Sequence, residues 1–509
     1  MSATVGLSFF HTVSSVSNEV GGRVVQTLLL LLFSSQGCTR AMSTKYETDV
    51  SLGQAIFAHA PLGDQRRNKR LIKTFDAMQR HPGGTLPDKL GSPTDLRAFY
   101  RLCDCDEVTH AALIAAARQH TLTQIAATPG PVLTVHDATE LDYHSLTSLA
   151  GDLGQIGTGS RRGYICQNVL AVAADTGEVL GLVDQILHHR DEVPKHETMA
   201  EHRERETRES LLWLRGTEHL PADAKLIDVA DQGADTFEFL EHESHSGRRF
   251  VVRACKTRKV YAGHEAVGPQ SYLKEYANNL SELGRFTMDV QAQPGRKARK
   301  NAEFVVRGAA VLVCRPHAKW GRHGDEPLPL YVVQVTEVKP PRGEKTVEWM
   351  LLTNEPVRSF DDAWRVAAWY ERRWIVEELH KAKKTGCRIE DLQFTTIGRL
   401  EPAIALLSVV AVTLLNLRDA SRHPDAKTRR ATSVVAPDYV RVLSIWRYRK
   451  VREDLSVHDF YFALARLGGH QNRKSDHQPG WLVLWRGWTK LQAMLDGYDA
   501  ANRIRCGKT

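Results

Sequence analysis

The chain has no CxxC pair, no dense cysteine framework, and no second Cys or His pair at a zinc-site spacing near Cys103 and Cys105. Its eight cysteines, Cys38, Cys103, Cys105, Cys166, Cys255, Cys314, Cys387 and Cys506, are scattered. That excludes a disulfide scaffold and a structural zinc module, and it is the pattern of reduced thiols in a cytoplasmic protein. No internal repeat and no long low-complexity tract occurs, so a solenoid is excluded. Membrane-length apolar runs are also missing. Val24 to Phe33 covers ten residues, too short for a spanning helix. Leu400 to Leu417 is longer but carries Glu401, Pro402 and Asn416, and it reads as a buried core helix. Charge imbalance is small: the net charge of +8 favours a polyanionic partner by its sign without identifying one.

What is present suits a large globular chain. The 509 residues, 42% hydrophobic and 25% charged, allow two to four domains. The first 41 residues differ from the rest. Arg23, the short apolar run and the small residues after it have the composition of a signal peptide, whereas Met42 opens globular sequence. The expectation is that 1–41 is a non-native or disordered extension and that the natural start is Met42. N-terminal mass spectrometry of the natural protein tests this, and a mature end near Cys38 overturns it.

From Met42 the chain divides by composition. Residues 42–130 read as helical and carry Arg66, Arg67, Lys69 and Arg70, a basic cluster balanced only by Asp64. Arg66 and Arg70 fall on one helical face. Such a cluster contacts DNA phosphates or stands as a solvated surface. PVLTVH (131–136) is a short strand leading into Asp137, after which DATELDYHSL turns away. Tyr164 to His188 alternates around Asp175-Thr176-Gly177 and predicts a hairpin. Lys225 to Val229 is a strand running into Asp231, followed by a helical TFEFL. Residues 248–357 are strand-rich and read as an insert. Residues 358–420 return to helix, 419–435 is a polar basic linker, and 421–509 is helical. There Trp481, Trp485 and Trp488 form an aromatic stripe, either core or a contact between two copies. His136 packs, and His188-His189 reads as surface.

One stretch organises the rest, DDAWRVAAWYERRWIVEELHKAKKTG (Asp361 to Gly386). Ser359 and Asp362 form a capping box and Gly386 marks the end. Tyr370, Arg373, Glu377 and Lys384 fall within about 60° of one another on a single helix, flanked by Lys381 and Trp374. Ala368, Ile375, Val376, Leu379 and Ala382 line the opposite, core-facing side. The bland reading of the polar face is a solvated charged surface.

Hydrolysis of a phosphodiester needs an activated water, a neutralised phosphate and a stabilised leaving oxygen. Two divalent ions held by a few acids from separate elements supply all three. Asp137 and Asp231 each follow an apolar strand, and Glu377 lies on the polar helix face. Asp228 and Asp235 compete for the second place and Glu378 for the third, and with sixty acids in the chain spacing alone does not choose.

The order Tyr370, Arg373, Glu377, Lys384 resembles the YREK motif of bacterial cut-and-paste DDE transposases of the insertion-sequence group. EELHKAKKTG extends the likeness. VHDATELDY and DVADQGADTFEFL resemble that family's two aspartate motifs. FAHAPLGDQRRNKRLIKTF resembles its end-binding domain, and ALARLGGHQN with LWRGWTKLQAMLDG its C-terminal dimerisation domain. The likeness spans about residues 46–505.

It implies an α/β fold: a ribonuclease H-like catalytic core (131–247 and 358–420) interrupted by the β-rich insert. A helical N-terminal DNA-binding domain and a helical C-terminal dimerisation domain flank that core. It implies Asp137, Asp231 and Glu377 as catalytic metal ligands for two Mg2+ ions, with Mn2+ as a substitute. Arg373, Lys381 and Lys384 would bind phosphates, and Tyr370 a phosphate beside a displaced base. Trp349 would stack on that base or, failing that, pack as a strand core residue. Arg253, with Lys256, would lie near the DNA, as would Arg66, Arg67, Lys69 and Arg70. The partners implied are double-stranded DNA, as terminal repeats and target, and a second copy of the chain in the DNA complex, in the cytoplasm. The implied reaction is nicking at the element's end, a hairpin formed by attack of the freed 3′-hydroxyl, reopening and joining to target. A non-catalytic DNA-binding regulator is the rival, and the presence of all three acids argues against it. A general two-metal nuclease, indifferent to terminal repeats, is a third reading.

Overall fold

The structure, a computed structural model, describes residues 51–191, 196–290, 296–318, 321–473 and 478–505. The extension before Met42, Cys38 and Cys506 lie outside them. The first helices are α1 (Leu52–Phe57), α2 (Gln65–Arg80), α3 (Leu86–Leu90), α4 (Pro93–Cys103) and α5 (His110–Ala127). Local chemistry starts them. Asp64 accepts the Arg66 amide at 2.7 Å to cap α2, and Ser92 caps α4 with Pro93 in its first turn. Asn68, buried, donates to the carbonyls of Phe57 and Ala60, both at 2.9 Å, and so ties the loop after α1 to α2.

Then come β1 (Val132–Asp142), β2 (Gly154–Gln155), β3 (Arg162–Ala173), β4 (Val179–His188), α6 (Met199–Glu204), α7 (Leu212–Arg215), β5 (Leu226–Ala230), α8 (Phe237–His245) and β6 (Arg249–Arg253). The strand-rich stretch adds β7 (Lys259–Ala262), β8 (Ser271–Tyr272), α9 (Leu273–Asn278), β9 (Glu282–Val290), β10 (Arg299–Val313), β11 (Leu328–Glu337) and β12 (Glu348–Thr353). Last are α10 (Phe360–Arg372), α11 (Trp374–Lys381), α12 (Ile397–Arg422), α13 (Pro437–Tyr448), α14 (Val457–Leu467) and α15 (Trp481–Arg505).

All twelve strands form one mixed sheet in the order β2-β3-β1-β5-β6-β12-β11-β10-β7-β8, with β4 on β3 and β9 on β10. β1, β5 and β6 are parallel, and β3 and β4 form the antiparallel hairpin expected around Gly177. The strands of 248–357 do not stand apart. β12 pairs with β6, Leu351 opposite Arg253, so the sheet runs on unbroken. β6 itself, read from its alternation as part of the insert, is the parallel neighbour of β5. Period-2 alternation identifies a strand but not its partner.

One apolar cluster joins Phe57, Phe75 and Phe99 of the N-terminal helices to Leu133 and Val135 of β1, to Ile375 and Leu379 of α11, and to Leu400 to Leu415 of α12. The N-terminal helices therefore share a core with the sheet. α12 is apolar on all sides because neighbours cover it on all sides. Leu400, Ile404, Leu407 and Val410 are fully buried. The tryptophan stripe turns inward. Trp481 and Trp485 stack at 5.8 Å and close the same core, and Trp488 stacks on Tyr439 at 4.8 Å. Read from spacing, that stripe could equally have been a contact between copies, and here it covers its own chain.

Candidate active site

The 361–386 helix begins as its capping box predicts, with Ser359 and Asp362 bonding reciprocally, but it is not one straight rod. α10 ends at Arg372. The Arg373 amide bonds the Tyr370 carbonyl and the Val376 amide bonds the Arg373 carbonyl, both three residues back, so the ladder tightens there. At the other end Ala382–Gly386 is a π-turn, in which the Cys387 amide reaches the Ala382 carbonyl at 2.8 Å. The turn packs closely: a Cβ on Gly386 would stand 3.0 Å from Leu414 and 3.1 Å from Trp481.

The sheet register brings two of the acids together. His136 pairs with Ala230 at the end of the parallel β1–β5 ladder, so Asp137 and Asp231 occupy the next, neighbouring positions. Residues in register on parallel strands point to one face, here the face under α11. β1 continues to Asp142, so Asp137 lies within a strand rather than at its end; β5, the shorter strand, is the one that stops. Asp231 accepts the Gly233 amide at 2.8 Å. A Cβ on Gly233 would meet the Trp213 ring at 2.1 Å, so that turn requires glycine.

Arg373 links strand and helix. Its Nη1 is 2.5 Å from Asp137 Oδ2 and its Nη2 is 3.7 Å from Glu377 Oε1. Burial pushes the Asp137 carboxyl up to about 7; Arg373 works against that shift, and the charges of Asp231 and Glu377 add to it. Arg373 stays charged: burial acts against it, but Asp137, Tyr370, Asp231 and Glu377 together raise its pKa. Asp137, Glu377 and His380 present ligand atoms all within 4.8 Å of one another. His380 is held well on the neutral side by burial and by Lys383, Lys384, Arg373 and Lys381.

The competing acids have other partners. Asp228 accepts from Thr134 at 2.6 Å and Arg248 at 2.9 Å, with His136 Nε2 at 2.8 Å. Asp235 binds Arg258 at 2.5 Å and the amides of Cys255 and Lys256. Glu378 is paired with Arg418. Each is tied to an arginine in a structural role, and His136 faces away from Asp137.

The other anticipated residues divide. Tyr370 and Trp349 are 4% and 6% exposed and pack edge to face at 5.4 Å, so here Trp349 is a strand core residue and neither ring is open to a base. Burial raises the Tyr370 hydroxyl pKa, opposed by Arg373 and Arg253, which reaches it. Arg253 also donates to the Glu348 carbonyl at 3.3 Å. Lys381 is exposed, its ammonium 4.7 Å from the Trp374 ring centre. Lys384 does not join the acids. It pairs with Glu390 at 3.1 Å, and Glu390 accepts the Asp142 amide, five strand residues or roughly 17 Å along β1 from Asp137. Lys383 is the buried lysine instead, because the π-turn rotates the phase of the helix. His188 is buried rather than at the surface, while His189 is exposed.

In α2 the basic cluster is better balanced than its sequence suggests. Arg67 pairs with Glu107 at 2.7 Å and Arg70 with Asp95 at 2.8 Å. Arg66 keeps 90% of its side chain exposed, and Lys69 is exposed. Residues 53–108, α1 to α4 and the loop that follows, match the family model described as transposase DNA-binding. That match supports a transposase and makes DNA its partner.

Sequence reasoning missed His380, Lys383, Asn168 and Gln185. His380 was findable, since it lies three residues after Glu377 on the same face. Asn168 and Gln185 become neighbours of the site only through strand register.

Proposed function

We propose that this chain is a DDE transposase that excises its own insertion sequence and joins the ends to target DNA, working as a homodimer on DNA in the cytoplasm. Its core is read as ribonuclease H-like. Three parallel strands bordered by an antiparallel hairpin, with acids at the carboxyl end of the parallel ladder, support that reading. The observation that carries the proposal is the meeting of Asp137, Asp231 and Glu377 around one buried arginine.

The donor set is rich in carboxylate oxygen, which fits Mg2+ with Mn2+ as a substitute. The Arg373 guanidinium already stands as a cation between two of the acids. Asp137, Asp231 and Glu377 would hold the metal. Two such ions, when bound, supply an activated water, a neutralised phosphate and a stabilised leaving oxygen. The chain does the positioning. β1, the β5 end and α11 are packed elements, so the acids approach the scissile phosphate from fixed directions. Arg373, released from Asp137, offers a planar fork to a phosphate, and Lys381 and Lys384 offer point charges along the backbone. Arg66 and Lys69 of α2 hold the element's end.

The test is cleavage of a terminal-repeat fragment with magnesium, comparing wild type with Glu377→Gln. The expected loss exceeds about 100-fold, the upper figure for disturbing only an outer-sphere partner, with DNA binding retained. Cleavage persisting in the variant overturns the site assignment. Cutting of repeat-free DNA at the same rate points to a general nuclease, and tight binding with no cleavage by wild type points to a regulator.

A further inference from the structure

A polar row crosses the sheet beneath α11. Gln185 on β4 faces Asn168 on β3, and Asn168 faces Asp137 on β1. Cross-strand partners share a face. Asn168 and Lys383 are fully buried, and Gln185 and His380 nearly so. Lys383 Nζ donates to Asn168 Oδ1 at 2.9 Å and to Cys166 Sγ at 3.1 Å, and Gln185 Nε2 donates to the same Asn168 oxygen at 2.9 Å.

An ammonium group has only protons to offer, so Lys383 decides which end of the Asn168 amide it meets. The Asn168 amide nitrogen is then turned the other way. It donates to the Cys166 carbonyl at 3.0 Å and lies 3.3 Å from His380 Nε2. With a donor pointed at it, Nε2 is the bare ring nitrogen. The single ring proton therefore sits on Nδ1, and Nδ1 is the nitrogen that faces Glu377 Oε2, at 4.0 Å.

We propose that His380 is a positioning residue, not a metal ligand: its Nδ1–H is aimed at Glu377, and Lys383 and Asn168 set the tautomer that aims it. By distance alone His380 could share an ion with Asp137 and Glu377. Both of its nitrogens are engaged, however, one by a donor and one by its own proton. The 4.0 Å gap is longer than a hydrogen bond; such contacts commonly close only when substrate arrives. This rests on the role assigned to Glu377 above, but the tautomer does not.

The test uses the full chain labelled with 15N-histidine. A multiple-bond 1H–15N correlation, with His380 assigned by its loss in His380→Asn, is expected to show the Nδ1–H form. In Lys383→Met the constraint on the amide is gone, and the Nε2–H form is expected to appear. An Nε2–H ring in the wild type overturns the proposal whatever Glu377 does. Mn2+ binding, followed by electron paramagnetic resonance without turnover, is the second readout. Asn places an N–H close to where Nδ1–H stood, so His380→Asn should bind within about threefold of wild type, whereas His380→Leu should lose about 10- to 100-fold. Equal losses in the two variants overturn the proposal. If Glu377→Gln leaves Mn2+ binding untouched while the tautomer is Nδ1–H, the metal role of Glu377 fails and the tautomer assignment stands.

Discussion

The two faces of the sheet at β1 and β5 carry two acid clusters built on opposite principles. On the far face Asp228 is fully enclosed. Burial opposes its ionisation, yet His136, Arg248 and Thr134 hold its pKa well below the usual carboxylate range. Its neighbour Glu243 is pushed well up, by burial first and then by the Asp228 charge. On the near face three acids share Arg373, and Glu377 keeps about a quarter of its side chain exposed. One step along β1, from His136 to Asp137, separates the two, because side chains alternate across a strand. The far cluster is closed and holds the fold. The near cluster is short of positive charge and open to a ligand.

The sharpest way to break this comparison is to take the arginine from each side. Arg248→Met leaves Asp228 and Glu243 buried without their cation and should cost about 3–5 kcal/mol in chemical denaturation. Asp231→Asn on the near face should leave stability within about 1 kcal/mol of wild type while abolishing cleavage. A small loss in Arg248→Met would mean the far cluster does not hold the fold.

A second prediction concerns acid. Burial lowers the His110 pKa to about 4, with the Gln185 amide oxygen 3.1 Å from Nε2. A histidine depressed in the folded state binds more protons when unfolded, so stability rises with pH through that window. It should be fully present above pH 6.5 and fall by up to about 3 kcal/mol toward pH 4. Denaturation across that range should show a loss that His110→Gln reduces.

Arg373→Gln gives a third. With the guanidinium gone from Asp137, Mn2+ should bind about tenfold more tightly in the absence of DNA, a difference of about 1.4 kcal/mol. Calorimetry on DNA-free protein measures it, and unchanged affinity would separate Arg373 from the metal site. The smallest effect is expected in α2. Arg66→Ala or Lys69→Ala should each lower the slope of log affinity against log salt by about 0.9. Arg67→Ala and Arg70→Ala, whose cations are paired with Glu107 and Asp95, should leave that slope nearly unchanged.

The parts that were readable from sequence were those with short-range causes. Ser359 and Asp362 announce the start of α10, and Asp175-Thr176-Gly177 announces the β3–β4 hairpin. Spacing placed Tyr370, Arg373 and Glu377 on one face, and they do lie together. Long-range causes were hidden. Nothing local distinguishes Asp231 from Asp228 and Asp235; the difference is that Arg248 and Arg258, distant in sequence, bind the other two. Nothing in the alternation of β12 tells that it extends the sheet through β6. Lys384 was misplaced because a constant 100° step cannot foresee a π-turn.

That turn, Ala382–Gly386, behaves as a phase shifter. One surplus residue in its final coil decides which of two adjacent lysines goes under the sheet and which goes out toward Glu390. Excising a single residue there would shorten the chain hardly at all, yet it would swing everything beyond by about 100°, exchanging an interior ammonium for a peripheral one. Loss of one codon in this stretch would therefore resemble a substitution of the internal lysine more than a simple shortening.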